Sequence, residues 1–366
     1  MLMSARVLSS NHDFAIRTAE PVHSGKVRSV YWLTPEDSER LIQQRGYPVS
    51  PDAQLAVLIV SDRLSAFDCI WRGEGGLEGV PGKGAVLNRV SHHWFQAFAN
   101  AGLARSHILE APHPLLWVVQ RARPVRIEAI ARQYLTGSLW RDYASGLRDV
   151  GGTVLPEGLE QHQRLQNLLI TPSSKGVLKG LAGIPEVDDV NISRGDLEQH
   201  WSALGFEQLS DVDRYEVLLS EGFQLISQQL QAIGQLFVDT KFEFGYASNG
   251  QGESELIYMD EVGTPDSSRI WDRDAYTEGR VVENSKEGFR QDLLQWVPDR
   301  ELLLDKNRME ERLAFAAATA VPQDFLLSVS ETYREIAAAI TGQGIVVPEQ
   351  PRAEINDLLS GELGLI

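Results

Sequence analysis

The sequence has a single cysteine and no long apolar run. Cys69 has no second thiol to pair with, which excludes an intramolecular disulfide and a zinc site built from cysteines. No apolar run approaches the roughly 20 residues that a bilayer-spanning helix needs. Residues 1–20 also lack the apolar stretch of a signal peptide. These absences predict a cytoplasmic protein in a reducing compartment.

Positive charge is scarce as well. The chain carries 34 lysines and arginines against 51 aspartates and glutamates, which gives a net charge of -17. Such a charge repels phosphate backbones and anionic lipids at long range, so neither nucleic acid nor a membrane is an expected partner. The eight histidines show no metal-ligand spacing, and no Gly-x-Ser-x-Gly elbow occurs. Zinc and serine-nucleophile mechanisms are therefore disfavoured.

Length and composition are those of an ordinary globular protein with two domains. At 366 residues the chain exceeds the size at which one core usually stops growing, and 43% of its residues are hydrophobic. Composition and periodicity predict strands at 26–33, 55–60 and 125–132, and a surface connection at 151–170. Helical spacing predicts helices at 86–101, 212–237 and 322–340. Gly102 and Gly342 are expected to end the first and the last of these helices.

A hairpin between residues 237 and 262 carries the strongest signal for chemistry. Its first strand alternates, and one face holds Asp239, Lys241 and Glu243. The other face is expected to hold Val238, Thr240, Phe242 and Phe244. A charged face on a half-buried strand is costly unless it lines a wet or ligand-filled cleft. A plain solvated face is the alternative interpretation.

The returning strand, expected at 255–262, adds another carboxylate. In many registers of an antiparallel pair, Asp260 lies beside Glu243 or Asp239, where two facing carboxylates would repel. Mg²⁺ carried by nucleotide phosphates would relieve this repulsion, because it prefers oxygen ligands and takes one or two carboxylates from a protein. The hairpin therefore predicts a magnesium–nucleotide site, with Lys241 able to reach a phosphate.

Four other segments have the composition of anion-binding loops. The turn at 264–269 can aim hydroxyls and a guanidinium at one anion, or it is a structural Asx-turn. Residues 24–28 place a glycine before Lys26 and Arg28 but do not form a P-loop. The cluster at 82–84 is either a tight turn or an anion loop. Residues 62–68 follow a buried strand, where ligands often gather.

In chain order, these segments resemble the SAICAR synthetase family of purine-biosynthesis ligases. The motifs are GKVRSVY (25–31), SDRLSAFD (61–68), GKGAVLNRVSHHWF (82–95), ARQYLTGSLW (131–140), TPSSK (171–175), DTKFEFG (239–245) and DEVGTPDSSRIW (260–271). The resemblance implies a two-lobed α+β fold with the active site in the cleft between the lobes. The lobes would be a strand-rich ATP-binding lobe at 1–122 and an α+β lobe at 123–300, followed by a helical extension at 301–366.

The resemblance also implies a reaction. ATP would phosphorylate the carboxylate of 5-amino-1-(5-phosphoribosyl)imidazole-4-carboxylate, and L-aspartate would displace the phosphate from the acyl phosphate to give SAICAR. The implied cofactors are ATP and Mg²⁺. The implied partners are these small molecules. Whether the protein forms a homo-oligomer stays open.

Individual residues acquire expected roles by their positions in the family motifs. The catalytic residues would be Lys241, Lys175 and Asp239, and the metal ligands Glu243 and Asp260. The nucleotide would be held by Gly25, Lys26, Arg28, Lys83 and Lys241. The other substrates would be held by Ser65, Asp68, Arg132, Gly137, Ser138, Asp189, Asp266, Ser267, Ser268 and Arg269. Among these, Arg132, Ser138, Ser268 and Arg269 match positions that hold the ribonucleotide phosphate.

One departure from the family pattern and two rival functions remain. The family has a His-Asp pair after the lysine of the TPSSK motif, whereas this chain has Asp188 and Asp189, so Asp189 is expected to fill the second position. One rival is a different ATP-dependent carboxylate–amine ligase or a small-molecule kinase, which would lack the paired arginines at 132 and 269. The other is a regulatory protein without turnover, although Lys26, Glu243 and Asp260 are all present.

Overall fold

The structure is a computed structural model that describes residues 6–366. Residues 1–5, which begin the expected N-terminal lobe and the segment tested for a signal peptide, lie outside the described residues. The strands are β1 (His23–Ser24), β2 (Arg28–Trp32), β3 (Leu55–Val60), β4 (Leu64–Ala66), β5 (Cys69–Gly73), β6 (Ile108–His113), β7 (Leu116–Gln120), β8 (Arg123–Pro124), β9 (Ile127–Tyr134), β10 (Asp149–Val150), β11 (Thr153–Val154), β12 (Arg164–Ile170), β13 (Ser173–Ser174), β14 (Gln235–Ser248), β15 (Ser254–Met259), β16 (Ser268–Asp272) and β17 (Ala320–Val321).

The helices alternate with these strands along the chain. They are α1 (Pro35–Arg45), α2 (Lys83–Asn100), α3 (Gly137–Ala144), α4 (Arg194–His200), α5 (Asp211–Ala232), α6 (Arg273–Thr277), α7 (Lys286–Trp296), α8 (Glu301–Leu304), α9 (Met309–Ala318), α10 (Gln323–Thr341) and α11 (Pro351–Ser360). No helix within residues 6–366 has both the length and the apolarity to cross a membrane. Helices and sheets are mixed along the chain, and the predicted α+β fold class is confirmed.

The first lobe is built on an antiparallel sheet in the order β1-β2-β3-β7-β6. Its central strand, β3, has the apolar sequence LAVLIV, and all of its residues are buried. Both faces of β3 are covered, since Val57 joins the main core and Leu58 joins a smaller cluster with Trp117. The strand predicted at 55–60 is confirmed. The strand predicted at 26–33 is confirmed as the shorter β2.

The second sheet is organised around β14. One edge of β14 pairs with β9 and β8, and the other pairs first with β16 and then with β15, all antiparallel. Residues 260–267 connect β15 to β16, so this connection leaves the sheet near the middle of β14. Helix α5 packs on the β14 face opposite the cleft. The strand predicted at 125–132 is confirmed as β9, shifted by two residues.

Two sequence interpretations are wrong. Residues 151–170 contain β12, which pairs with β9 at the edge of the second sheet, instead of forming a surface connection. Most side chains of β12 are exposed or half-buried, so its apolar alternation is weak. The helix expected to run to residue 237 ends at Ala232, because Gly234 adopts a left-handed φ of 78° and turns the chain into β14.

The C-terminal helices pack back onto the first lobe. The predicted helices at 86–101 and 322–340 are confirmed as α2 and α10, and Gly342 closes α10 with a φ of 68°. Strand β17 pairs in parallel with β5. The side chains of Leu363 and Leu365 are buried in a main core that also contains Leu8 and Leu219. The main core thus contains side chains from all three predicted segments, 1–122, 123–300 and 301–366, and the boundaries between these segments stay predictions.

Candidate active site

A β-bulge in β14 decides which of its side chains face the cleft. The bulge lies between Phe237 and Asp239. Before it, Phe237 packs into the main core against Phe223 of α5, with ring centroids 4.7 Å apart. After it, Phe242 faces this core, 5.8 Å from Phe98 of α2. The core-facing side chains are therefore odd-numbered before the bulge and even-numbered after it. The numbering changes because a bulge inserts one extra residue into one strand of the pair.

The bulge leaves the charged residues of β14 on the opposite face. Asp239 and Lys241 line the cavity described below, and Glu243 contacts Lys241. This confirms their predicted common face. Val238 was expected to share a face with Phe242, but it packs instead in a separate cluster with Trp271. That assignment is wrong because alternation alone does not reveal a bulge.

Strand β15 returns beside β14 in one register. Met259 lies opposite Glu243, so Asp260 falls one residue past the pair and the expected pairing with a carboxylate is wrong. Asp260 adopts a φ of 59°, in the left-handed region that residues other than glycine rarely occupy. Strained backbone of this kind concentrates at functional sites. From Asp260 the chain leaves the sheet.

Two ammonium groups hold Glu243. Lys241 Nζ donates to Glu243 Oε1 at 2.9 Å and to Glu128 Oε1 at 2.8 Å. Lys175 Nζ donates to the other oxygen, Oε2. Burial alone would raise the pKa of Glu243, but Lys241 and Lys175 outweigh it and hold this pKa well below its usual range. The carboxylate is therefore ionised and enclosed by cations.

Asp260 is less well compensated than Glu243. Arg28 Nη1 lies 3.5 Å from Asp260 Oδ1, whereas Arg28 Nη2 makes a closer contact of 2.8 Å with Glu261 Oε2. Burial raises the pKa of Asp260, and the negative charges of Glu243 and Glu261 raise it further against the effect of Arg28. A carboxylate whose ionised form is destabilised in this way gains from a further cation.

This donor set fits Mg²⁺. Asp260 offers carboxylate oxygens, and Glu243 would offer one if Lys175, which now donates to it, turned away. Mg²⁺ usually takes one or two carboxylates and completes its shell with water and phosphate. Among residues 6–366, no three His, Cys, Asp or Glu side chains are grouped so that they could hold a metal ion by themselves. The remaining ligands would thus have to come from a nucleotide and from water.

Arginines surround the carboxylate at the other end of the same face. Arg269 Nη1 donates to Asp239 Oδ2 at 2.5 Å, and Arg132 Nη1 lies 3.9 Å from the same oxygen. Arg269 Nη2 also lies 3.2 Å from Glu287 Oε2. Asp239 was expected to be catalytic, and that role stays a prediction. In the structure its carboxylate contacts two guanidinium groups.

The backbone of Gly137 packs closely against the guanidinium of Arg269. A Cβ atom on Gly137 would lie 2.5 Å from Arg269 Nη2, which no real structure tolerates without movement. Gly137 also has a φ of 60°, in the left-handed region. A glycine is therefore required here both for its backbone conformation and for the close approach.

A buried cluster around Asp266 anchors the turn at 264–269. Lys286 Nζ donates to Asp266 Oδ2 at 2.9 Å, and Tyr333 OH donates to Oδ1 at 3.0 Å. Lys83 Nζ lies 3.3 Å from Oδ1. Burial would raise the pKa of Asp266, but Lys286 and Lys83 hold it well below its usual range. Lys83 was expected to contact the nucleotide, but its side chain is 0% exposed and contacts this carboxylate instead.

The charged face opens onto a cavity of about 360 Å³ at Asp239 and Lys241. The sequence-predicted residues that line it are Arg132, Ser138, Asp239, Lys241, Asp266, Ser267, Ser268 and Arg269. Glu243 contacts the lining residue Lys241, and Lys175 contacts Glu243. Asp260 contacts Arg28, which also pairs with the lining residue Glu261. Most of the predicted site is thus brought together.

The remaining predicted residues lie away from the walls of this cavity. Lys26 and Asp68 form an exposed ion pair beside the glycine loop that contains Gly25. Ser65 lies on β4, which pairs with β5 next to Asp68. Asp189 lies in an exposed loop with a φ of 54°. Their expected ligand contacts stay predictions.

Sequence reasoning missed several charged or polar residues of the site. They are Glu128, Glu261, Lys286, Glu287, Arg290 and Tyr333. A signal existed for α7, because Ser285 caps its N-terminus and places Lys286 and Arg290 one turn apart on one face. No comparable signal pointed to Tyr333, which reaches the site from a distant helix.

The chain is similar to known proteins over its whole length. The family model described as SAICAR synthetase matches residues 21–301. The phosphoribosylaminoimidazole-succinocarboxamide synthases of Vibrio atlanticus (strain LGP32) and Vibrio cholerae serotype O1 are 60% and 59% identical over 366 residues, with 100% of each chain covered. The solved SAICAR synthase from Saccharomyces cerevisiae, complexed with SAICAR, has a TM-score of 0.64 at 25% identity and covers 92% of this chain and 98% of that chain.

Proposed function

The chain belongs to the SAICAR synthetase family, and we propose that the cavity beside β14 is where it carries out the family reaction. It is an ATP-dependent ligase of purine biosynthesis that joins L-aspartate to the carboxylate of 5-amino-1-(5-phosphoribosyl)imidazole-4-carboxylate. One observation carries the location of the site. A single strand carries an arginine centre at Asp239 and a lysine–carboxylate centre at Glu243, and its residues Asp239 and Lys241 line the same cavity.

We assign the ribonucleotide phosphate to the arginine centre. Arg132 and Arg269 both contact Asp239, and the hydroxyls of Ser138 and Ser268 line the same cavity. A guanidinium presents a planar fork of donors that matches phosphate oxygens. Because Asp239 already orients these guanidinium groups, little side-chain freedom is lost when the phosphate binds.

We assign the nucleotide to the lysine–carboxylate centre and to the glycine loop, which Arg28 links to Asp260. Gly25, Lys26 and Arg28 would contact the triphosphate, and Glu243 and Asp260 would hold Mg²⁺. This assignment is supported by the raised pKa of Asp260, which burial and neighbouring carboxylates produce and which a cation would lower again. When bound, Mg²⁺ neutralises charge on the phosphate oxygens during transfer.

The chemistry consists of two successive transfers at one substrate carboxylate. An oxygen of that carboxylate attacks the γ-phosphorus of ATP. The bond between this phosphorus and the β,γ-bridging oxygen breaks, and ADP leaves with that oxygen. The aspartate amine then attacks the acyl carbon of the resulting acyl phosphate, phosphate leaves, and the nitrogen loses a proton to give the amide. The first step brings two anions together, so positioning and charge neutralisation are what the protein must supply.

Lys241 and Lys175 are suited to supply that neutralisation. Lys241 is held between Glu128 and Glu243, and those carboxylates raise its pKa although burial alone would lower it. Its charge is therefore permanent. Lys175 is 39% exposed and touches one oxygen of Glu243. A lysine is a flexible point charge, so Lys175 can turn from Glu243 to the incoming carboxylate.

A direct assay tests the function. Purified protein is mixed with ATP, Mg²⁺, the ribonucleotide and L-aspartate, and ADP release is followed while each co-substrate is omitted in turn. We expect repeated turnover, with much more ADP released than enzyme present, only when both the ribonucleotide and L-aspartate are supplied. Repeated turnover without L-aspartate would instead indicate a kinase, and no release in the complete mixture would indicate a protein without turnover. Either outcome overturns the ligase function.

A further inference from the structure

Helix α10 lies beyond the part of the chain that the family model matches, yet it contacts a residue that lines the cavity. The match ends at residue 301, whereas α10 is Gln323–Thr341. Tyr333, in the middle of this helix, is fully buried, and its hydroxyl donates to Asp266 Oδ1 at 3.0 Å. Asp266 itself lines the cavity. The C-terminal extension therefore supports a residue of the cavity wall from behind.

The carboxylate of Asp266 is held from three helices. Lys83 is the first residue of α2, Lys286 is the first residue of α7, and Tyr333 belongs to α10. Lys83 and Tyr333 approach Oδ1, and Lys286 approaches Oδ2. Tyr333 is the uncharged member of this group. Burial raises the pKa of its hydroxyl well above the usual range, so it remains a hydrogen-bond donor.

Fixing Asp266 also fixes the turn that carries the ribonucleotide contacts. The backbone N–H of Asp266 donates to Thr264 Oγ1 at 3.3 Å, which is a long hydrogen bond. The turn is also held by backbone hydrogen bonds, from Ser268 N–H to Thr264 O at 3.0 Å and from Lys286 N–H to Pro265 O at 2.8 Å. The side chain of Asp266 adds the contacts with three helices. Two residues further on, β16 begins with Ser268 and Arg269, and Arg269 reaches Asp239. We therefore expect loss of a contact to the Asp266 carboxylate to loosen the turn that precedes these two residues.

We infer that Tyr333 is a positioning residue for the ribonucleotide. By holding the carboxylate of Asp266, it keeps the turn at 264–269 in the conformation that presents Ser268 and Arg269 to the ribonucleotide phosphate. This inference rests on the proposed function. It makes α10 part of the substrate site, and it confines the effect of the tyrosine hydroxyl to one of the three substrates.

The test removes the hydroxyl and keeps the ring. In Tyr333→Phe we expect the KM for the ribonucleotide to rise about tenfold, the size of effect typical for a lost hydrogen bond to a charged group. We expect kcat and the KM for ATP to change by less than about twofold. The matched control is Ser330→Ala on the same helix, whose hydroxyl donates to Pro81 O at 2.6 Å. It should leave the ribonucleotide KM unchanged.

A double-mutant cycle tests whether the tyrosine acts through Asp266. In an Asp266→Asn background, Tyr333→Phe should raise the ribonucleotide KM by no more than about threefold, because the charge-assisted bond is already gone. A full tenfold rise in that background overturns the inference, and so does an equal ribonucleotide KM in Tyr333→Phe and Ser330→Ala. A wild-type protein without aspartate-dependent ADP release would instead defeat the proposed function and this inference with it.

Discussion

The two ends of the charged face of β14 hold their carboxylates in different ways. Asp239 is paired with Arg269 and Arg132, whose side chains are only 16% and 12% exposed. Glu243 is paired with Lys241 and Lys175, and Lys175 is 39% exposed. One end therefore uses enclosed guanidinium groups, and the other uses ammonium groups of which one is accessible.

This difference suits two kinds of anion. A planar guanidinium that is already oriented can bind a phosphate whose position does not change during the reaction. A lysine can exchange one partner for another while a phosphoryl group is transferred, because its ammonium is a rotatable point charge. The arginine end is thus suited to bind the ribonucleotide phosphate in one position. The lysine end is suited to keep contact with the phosphoryl group while it is transferred.

The largest effect is expected at the lysine end, from Asp260→Asn. The substitution removes the charge of the proposed metal ligand and keeps its shape, so kcat should fall more than about 100-fold while the thermal unfolding temperature is preserved. ADP release measured over a series of Mg²⁺ concentrations checks this expectation. Glu255→Gln is the control, since Glu255 lies on the same hairpin in a half-exposed pair with Arg105. Full activity of Asp260→Asn at ordinary Mg²⁺ would show the metal assignment to be wrong.

An intermediate effect is expected at the arginine end, from Gly137→Ala. The added Cβ displaces the Arg269 guanidinium, so the KM for the ribonucleotide should rise about tenfold while that for ATP is unchanged. The control is Gly46→Ala, because Gly46 has a similar φ of 66° and no atom within 4 Å of an added Cβ. Both variants should lose about 1 kcal/mol of stability through left-handed strain. Equal ribonucleotide KM values in the two variants would contradict the proposed role of Arg269.

The smallest effect is expected on acid stability. The folded-state pKa of Glu243 is lowered, so its contribution to stability is complete above the usual glutamate pKa of about 4.3 and is lost as the pH falls below that value. Lys241→Met removes one of the cations that lower this pKa. Its acid-unfolding midpoint should therefore lie about half a pH unit higher than that of the wild type.

Circular dichroism during acid titration measures this shift. The control is Lys26→Met, which removes a lysine from the exposed pair with Asp68 and should leave the midpoint in place. Coincident midpoints for Lys241→Met and the wild type would mean that the lysine does not stabilise the ionised form of Glu243. The comparison between the two ends of β14 would then lose one of its supports.

Much of the local structure could be predicted from the sequence. The apolar run of β3, the helical spacing of α2 and α10 and the glycine that ends α10 are each encoded by neighbouring residues. The common face of Asp239, Lys241 and Glu243 follows from strand alternation. These features depend on interactions within a few residues of each other, which periodicity and capping preferences describe.

The tertiary structure alone decided how these pieces form a site. The bulge after Phe237 and the pairing of Met259 with Glu243 depend on how distant strands meet, and a shift of one residue changes the face of every side chain. Lys83 and Tyr333 lie far apart in the chain, yet both contact Asp266. The sequence by itself determined which residues could bind anions and metal. Folding determined which of them line the cavity and which, like Lys83, contact another charged residue behind it, because those contacts are made between residues that no local pattern connects.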